Sequence, residues 1–195
     1  MHTRIVLVRH AQSVIPVVGG PDEYTRPLAP LGLTQAAELV PSLALLEPHA
    51  VWSSPYLRAI QTVQPVADAL GLTVETREDL REWDHGFEPS PHWLSFVRAS
   101  WADPSSVRPG GESLDALAAR ASSAVRSLAS AYEGRTVLVG SHGTFISMAL
   151  RGLGIPFSED SFLQMTMPAV YPLTFTALDG VPLASGPGLA SVENK

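Results

Sequence analysis

The chain contains no cysteine, which rules out disulfide bonds and thiolate chemistry. Lys195 is its only lysine, so almost all of its positive charge is arginine, the residue suited to gripping phosphate oxygens two at a time. Positive charge is also in deficit. Thirteen Lys and Arg stand against 19 Asp and Glu, for a net charge of −6. That balance argues against nucleic acid as the main partner. No apolar run approaches the length of a membrane span, and no basic segment followed by an apolar one marks a cleaved leader. The expectation is a chain with no membrane partner, and cytoplasmic is the simplest compartment. There is no internal repeat and no composition shift that reads as a linker. A single domain is expected over residues 1–185, with residues 186–195 as a mobile tail.

What is present is enough for one sizeable core: 195 residues, 45% of them hydrophobic. Strand and helix patterns alternate, which indicates an α/β fold. Strands are predicted at residues 4–8, 51–53, 73–76 and 136–140. Helices are predicted at residues 34–46 (capped by Thr34), 56–70 (ended by Gly71 and kinked by Pro65), 113–132 (capped by Ser113) and 144–152. Asp179-Gly180 reads as a hairpin turn between strands 171–178 and 181–184. Residues 82–112 hold Trp83, Trp93 and Trp101 with Phe87 and Phe96. They read either as a lid that touches substrate or as a small satellite core under a long loop.

Two apolar, β-branched runs each stop at a histidine: Leu7-Val8-Arg9-His10-Ala11-Gln12-Ser13 and Val139-Gly140-Ser141-His142-Gly143-Thr144. Such runs read as parallel strands buried on both faces, and ligands bind where strands of this kind end. If the two strands are neighbours, His10 and His142 meet at one site beside Arg9. A guanidinium and two imidazoles at a sheet rim suit a phosphate group. Val51-Trp52-Ser53-Ser54-Pro55-Tyr56-Leu57-Arg58 runs from strand through a turn into a helix. Ser54 is the predicted N-cap, and Arg58 lies near the positive helix end, a favourable place for an anion.

These segments resemble the motifs of the histidine phosphatase superfamily, in its phosphoglycerate mutase-like branch. Arg9-His10-Ala11-Gln12-Ser13 resembles R-H-G-x-T. Residues 27–36, with Leu28, Gly32, Gln35 and Ala36, resemble L-[ST]-x-x-G-x-x-Q-A. Residues 53–62 match S-S-P-x-x-R-A-x-Q-T almost letter for letter. Leu80-Arg81-Glu82 with Gly86 is similar to L-x-E-x-x-x-G, and Ser141-His142-Gly143 matches the second histidine motif. Five matches in family order are far more specific than one. Four positions depart from the pattern: Ala11 replaces glycine, Ser13 replaces threonine, Pro16 stands where asparagine is common, and Phe87-Glu88-Pro89 replaces W-E-G.

The resemblance implies a three-layer sandwich with a mostly parallel central sheet flanked by helices. It also implies a phosphomonoesterase that acts on a small phosphorylated metabolite through phospho-His10. His10, Glu82 and His142 would be catalytic, and Arg9, Ser13, Arg58 and His142 would bind the substrate phosphate. His10 must be neutral to attack phosphorus, and nearby Arg9 and Arg58 favour that state. Glu82 would protonate the leaving alkoxide and later activate water; Asp84 and Glu88 are rivals for this role. No metal or organic cofactor is required, and no H-x-x-x-H pair supports a metal site built on His10, His142 and Asp84. A mutase-type phosphotransferase and a non-catalytic phospho-ligand binding module are the alternatives. A homodimer stays open.

Overall fold

The computed structural model describes residues 2–87 and 89–190. Its frame is a six-stranded sheet in the order β3-β2-β4-β1-β5-β6. In chain order the strands are β1 (Thr3–Arg9), β2 (Ala50–Ser53), β3 (Val74–Thr76), β4 (Thr136–Ser141), β5 (Ala169–Phe175) and β6 (Leu183–Ala184). The first four run parallel, and β5 and β6 add an antiparallel edge. The helices are α1 (Pro30–Glu38), α2 (Val40–Ala44), α3 (Leu57–Leu70), α4 (Trp93–Ala102), α5 (Leu114–Ala131), α6 (Gly143–Gly152) and α7 (Glu159–Leu163).

Alternation along the central strands explains the three layers. On β1 and β4, Val6, Val8 and Leu138 face Leu43 of α2 and Val63, Val66 and Ala67 of α3. Ile5, Leu7, Val137 and Val139 face the opposite way, toward Leu117, Ala121 and Leu128 of α5 and Phe145 and Ile146 of α6. Both faces are apolar because both are covered, as a parallel sheet requires. The register pairs Arg9 with Ser141 across β1 and β4. Both strands therefore end at one level, and His10 and His142 leave the sheet side by side.

Several element boundaries differ from the sequence reading. The helix expected at 34–46 begins at Pro30, with Ala29 rather than Thr34 at the N-cap, and it divides at Leu39. Pro30 supplies a preset φ at the first helical position, and Pro41 has no N–H with which to continue α1. Ser54 does not cap α3; that helix starts at Leu57 after Tyr56, and the Ser54 hydroxyl is engaged elsewhere. The hairpin exists, but β5 pairs with β6 only through Leu173–Ala184 and Thr174–Leu183, so Asp179-Gly180 lies inside a longer loop. Arg126 of α5 donates to the Leu178 and Gly180 carbonyls and holds that loop open. Helices α4 and α7 are additional. Ser113 caps α5 as expected, accepting from Ala116 N–H.

Residues 186–190, expected to begin a mobile tail, are tied to the body. Tyr171 donates to the Pro187 carbonyl, Ser161 donates to the Gly188 carbonyl, and Leu189 packs on the main core. The rest of that expected tail, 191–195, lies outside the described residues.

Candidate active site

The ring centroids of His10 and His142 lie 5.3 Å apart, edge to face, at the ends of β1 and β4. His10 Nδ1 is 2.7 Å from the Ala11 carbonyl, and a carbonyl can only accept. Nδ1 therefore carries the ring proton, and Nε2 keeps its lone pair. Burial pushes the His10 pKa down to about 3, assisted by the charges of Arg58, Arg9 and Arg26. Neutrality was expected from the arginines; burial is the larger cause. His142 is fully buried, and its pKa is also pushed well down, first by burial and then by Arg58 and His10. Its Nε2 lies 2.8 Å from Ser54 Oγ, which itself accepts from Tyr56 N–H. Ser54 Oγ has both a proton and a second lone pair to offer Nε2, and His142 Nδ1 is a buried atom with no protein partner.

A cavity of about 660 Å³ opens over His10. Arg26, Arg58, Glu23, Glu82, His85 and Thr144 supply its polar wall. Arg58, only 2% exposed, donates from Nη1 to the Glu23 carbonyl and from Nη2 to Glu23 Oε2, each at 2.7 Å. Arg26 grips the same carboxylate through Nε and Nη2 at 2.9–3.2 Å. Burial alone would raise the Glu23 pKa, but hydrogen bonds from Arg26 and the charge of Arg58 hold it below the usual carboxylate value. An anion thus already sits in a two-arginine clamp beside His10.

The site residues expected from sequence divide into those on the cavity wall and those behind it. His10, Arg58 and Glu82 line the cavity, and His142 lies against the His10 ring. Arg9 does not line it. Its Nη1 donates to the Met165 and Thr166 carbonyls, and its guanidinium packs under Gly143, where a Cβ would stand only 3.1 Å from Arg9 Nε. Ser13 is also withdrawn, because its hydroxyl accepts from Arg26 Nη1 at 2.7 Å. Glu82 accepts from the N–H groups of Trp83, Thr144 and Phe145, so its carboxylate covers the start of α6. Asp84 is exposed and absent from the cavity wall. Glu88 lies outside the described residues.

Arg26 and Glu23 were missed by the sequence reading. Their signal was an arginine three residues after a glutamate, just before the Pro27-Leu28 motif. Other motif positions hold the backbone in place. Gln35 accepts from Gln12 N–H, Gln61 accepts from Leu28 N–H, and Thr62 accepts from Ala11 N–H. Ala11 is tolerated because its methyl packs with Leu28 and Ala36 in a small buried cluster.

Residues 5–179 match the family described as "Histidine phosphatase superfamily (branch 1)". The chain belongs to the histidine phosphatase superfamily. The "Bifunctional protein Rv2228c" of Mycobacterium tuberculosis is 40% identical over 112 residues, which is 52% of this chain but only 30% of that protein. An "Acid phosphatase" of the same organism is 31% identical over 178 residues, covering 83% of this chain and 81% of the relative. Among solved histidine phosphatase-like folds, the mycobacterial glucosyl-3-phosphoglycerate phosphatase Rv2419c superposes with a TM-score of 0.77 at 21% identity, over 97% of this chain and all of that one. At that identity the likeness is one of fold.

Proposed function

We propose that the chain is a phosphomonoesterase that passes the phosphoryl group through His10. The observation that carries this reading is the clamp itself. Arg26 and Arg58 converge on one carboxylate within a cavity whose inner wall is the neutral imidazole of His10. A phosphoryl group displaces Glu23 from the clamp and takes up the arginine donors. His10 Nε2 then attacks phosphorus in line, and the P–O ester bond breaks. Glu82 donates a proton to the departing alkoxide, which leaves as the alcohol. The Nδ1–H of His142 stabilises charge on the phosphoryl oxygens. In the second half, water loses a proton to Glu82 and attacks phosphorus, the P–N bond breaks, and phosphate leaves. Ser13 acts through Arg26, and Arg9 contributes its charge from behind the histidines. Both are positioning residues in this account.

Hydrolysis is favoured over a mutase-type transfer by the chain's net negative charge and by the acid phosphatase relative that spans most of both sequences. The reaction draws its positive charge from arginine, so metal is not needed. The test is phosphate release from a panel of monoesters, with and without exhaustive chelation. Release that survives chelation and disappears in a folded His10→Ala variant is expected. Undiminished release by that variant would remove the covalent mechanism, and restoration only by added zinc or magnesium would remove metal independence. Faster conversion of 3-phosphoglycerate into its isomer than into phosphate would point to the mutase.

A further inference from the structure

Beyond the phosphate clamp, the cavity wall changes character. Ile15, Val17, Val18, Phe87, Pro89 and Trp93 form the outer wall. Ile15 and Val18 are each 81% exposed, Val17 is 59% exposed and Trp93 38%. Large apolar side chains held this open to water at the mouth of a polar site mark a surface that a ligand covers. Their placement is not accidental slack in a loop. Val14 N–H bonds the Pro27 carbonyl, and Gly20 N–H bonds the Val17 carbonyl in a turn, so the segment is folded over the cavity. On the other side, Phe87 stacks on Phe96 and meets Trp93 edge-on, and His85 stacks on Phe87. The apolar wall is continuous with the phosphate clamp, so one molecule can occupy both.

Charge defines what that molecule lacks. Among the described residues, Arg26 and Arg58 are the only arginines on the cavity wall, and both are committed to the phosphoryl group. The remaining ionisable neighbours include Asp22, Glu23 and Glu82. His85 adds no fixed cation, since burial lowers its pKa and its Nδ1 accepts from Phe87 N–H. Arg108 packs on Phe87 and Phe96 and does not line the cavity, so a carboxylate or second phosphate on the leaving group would meet acidic side chains and no further guanidinium on the cavity wall. Resting on the phosphatase reading above, we infer that the substrate is a phosphomonoester whose leaving alcohol is uncharged and bears an aromatic or bulky apolar group, seated against Trp93, Ile15 and Val18.

The experiment compares three esters of alcohols with similar leaving ability: propyl phosphate, 3-phenylpropyl phosphate and 3-phosphoglycerate. The expected kcat/KM rises about tenfold or more from propyl to phenylpropyl, and 3-phosphoglycerate falls below both. Trp93→Ala and Ile15→Ser should each collapse the phenylpropyl-to-propyl ratio toward one. Two substitutions on opposite walls guard against a fault peculiar to either. Equal rates for propyl and phenylpropyl phosphate, a ratio that survives both substitutions, or 3-phosphoglycerate as the best of the three would overturn the inference while leaving the phosphatase reading intact. No turnover of any ester would remove the phosphatase reading, and the inference with it.

Discussion

Glu82 serves two ends. Its carboxylate accepts three backbone N–H groups and so completes the start of α6, yet the proposed reaction asks it to carry a proton to the leaving group. A general acid matters most for a poor leaving group, because an alkoxide needs a proton and a nitrophenolate scarcely does. Glu82→Gln keeps one oxygen for the Trp83 and Phe145 N–H groups, gives up the acceptor of Thr144 N–H, and cannot pass a proton on. It should slow alkyl phosphate hydrolysis by roughly a hundredfold, while p-nitrophenyl phosphate suffers far less in the phosphorylation step. Stopped-flow and steady-state rates on both esters check this; equal small losses would take the acid role away from Glu82. The placement of candidate site residues was legible where a motif fixes it, as for the meeting of His10, Arg58 and His142. It was not legible where an ion pair decides it. Ser13 was expected to meet phosphate, and its hydroxyl accepts from Arg26; Glu23 became visible only when neighbouring Arg26 and distant Arg58 converged on it.

Helices and strands were readable where hydrophobic periodicity spoke alone. The continuous apolar runs of β1 and β4, the Gly71 end of α3 and the Ser113 cap of α5 all follow from local rules. The α1 region was misplaced because its start is set by contact with another segment. Gly32 lies against the loop after His10, and a Cβ there would stand only 2.0 Å from the Gln12 carbonyl oxygen. The same loop accepts Ala29 N–H at Gln12 O and bonds Gln12 N–H to Gln35. Helix α1 is thus clamped onto the segment that carries His10, the proposed nucleophile. Gly32→Ala should destabilise the protein by about 1–3 kcal/mol, the usual range for overpacking, and should lower turnover as the loop shifts. Thermal unfolding together with ester hydrolysis measures both. An unchanged melting temperature would mean that the close approach has no energetic weight.

Taken as one body, the protein encloses two histidines in their neutral form, and this links stability to pH. His10 has a folded pKa of about 3 and that of His142 is also well below the ordinary value. In the unfolded chain both titrate near ~6.5. Above that pH neither state binds the proton, and the stability contribution is complete. Below it the unfolded chain takes up protons that the folded one refuses, so stability falls as pH drops from ~6.5 toward the folded values. At about pH 5 His10 alone costs about 2 kcal/mol relative to neutral pH, and His142 adds a loss of the same sign. Urea unfolding at about pH 7.5 and pH 5 should show this loss, and His10→Ala should remove the part that His10 contributes. A stability that stays flat across that interval would mean that the histidines are charged or exposed. Fold class was the most legible property of the sequence, because apolar strand runs and amphipathic helices alternate along most of the chain. The outer cavity wall was the least legible, because its apolar residues belong to two loops that only the fold brings together.

Whether phosphate passes through His10 is decided by trapping it there. Enzyme mixed with a fast-reacting monoester, quenched within one turnover and digested under alkaline conditions that preserve phosphohistidine, should yield the His10 peptide heavier by one phosphoryl group. The label should be absent from His10→Ala and should disappear when the wild-type reaction runs to completion. A protein that turns over the ester with no phosphorylated His10 peptide at any quench time, or with the label on another residue, would contradict the account.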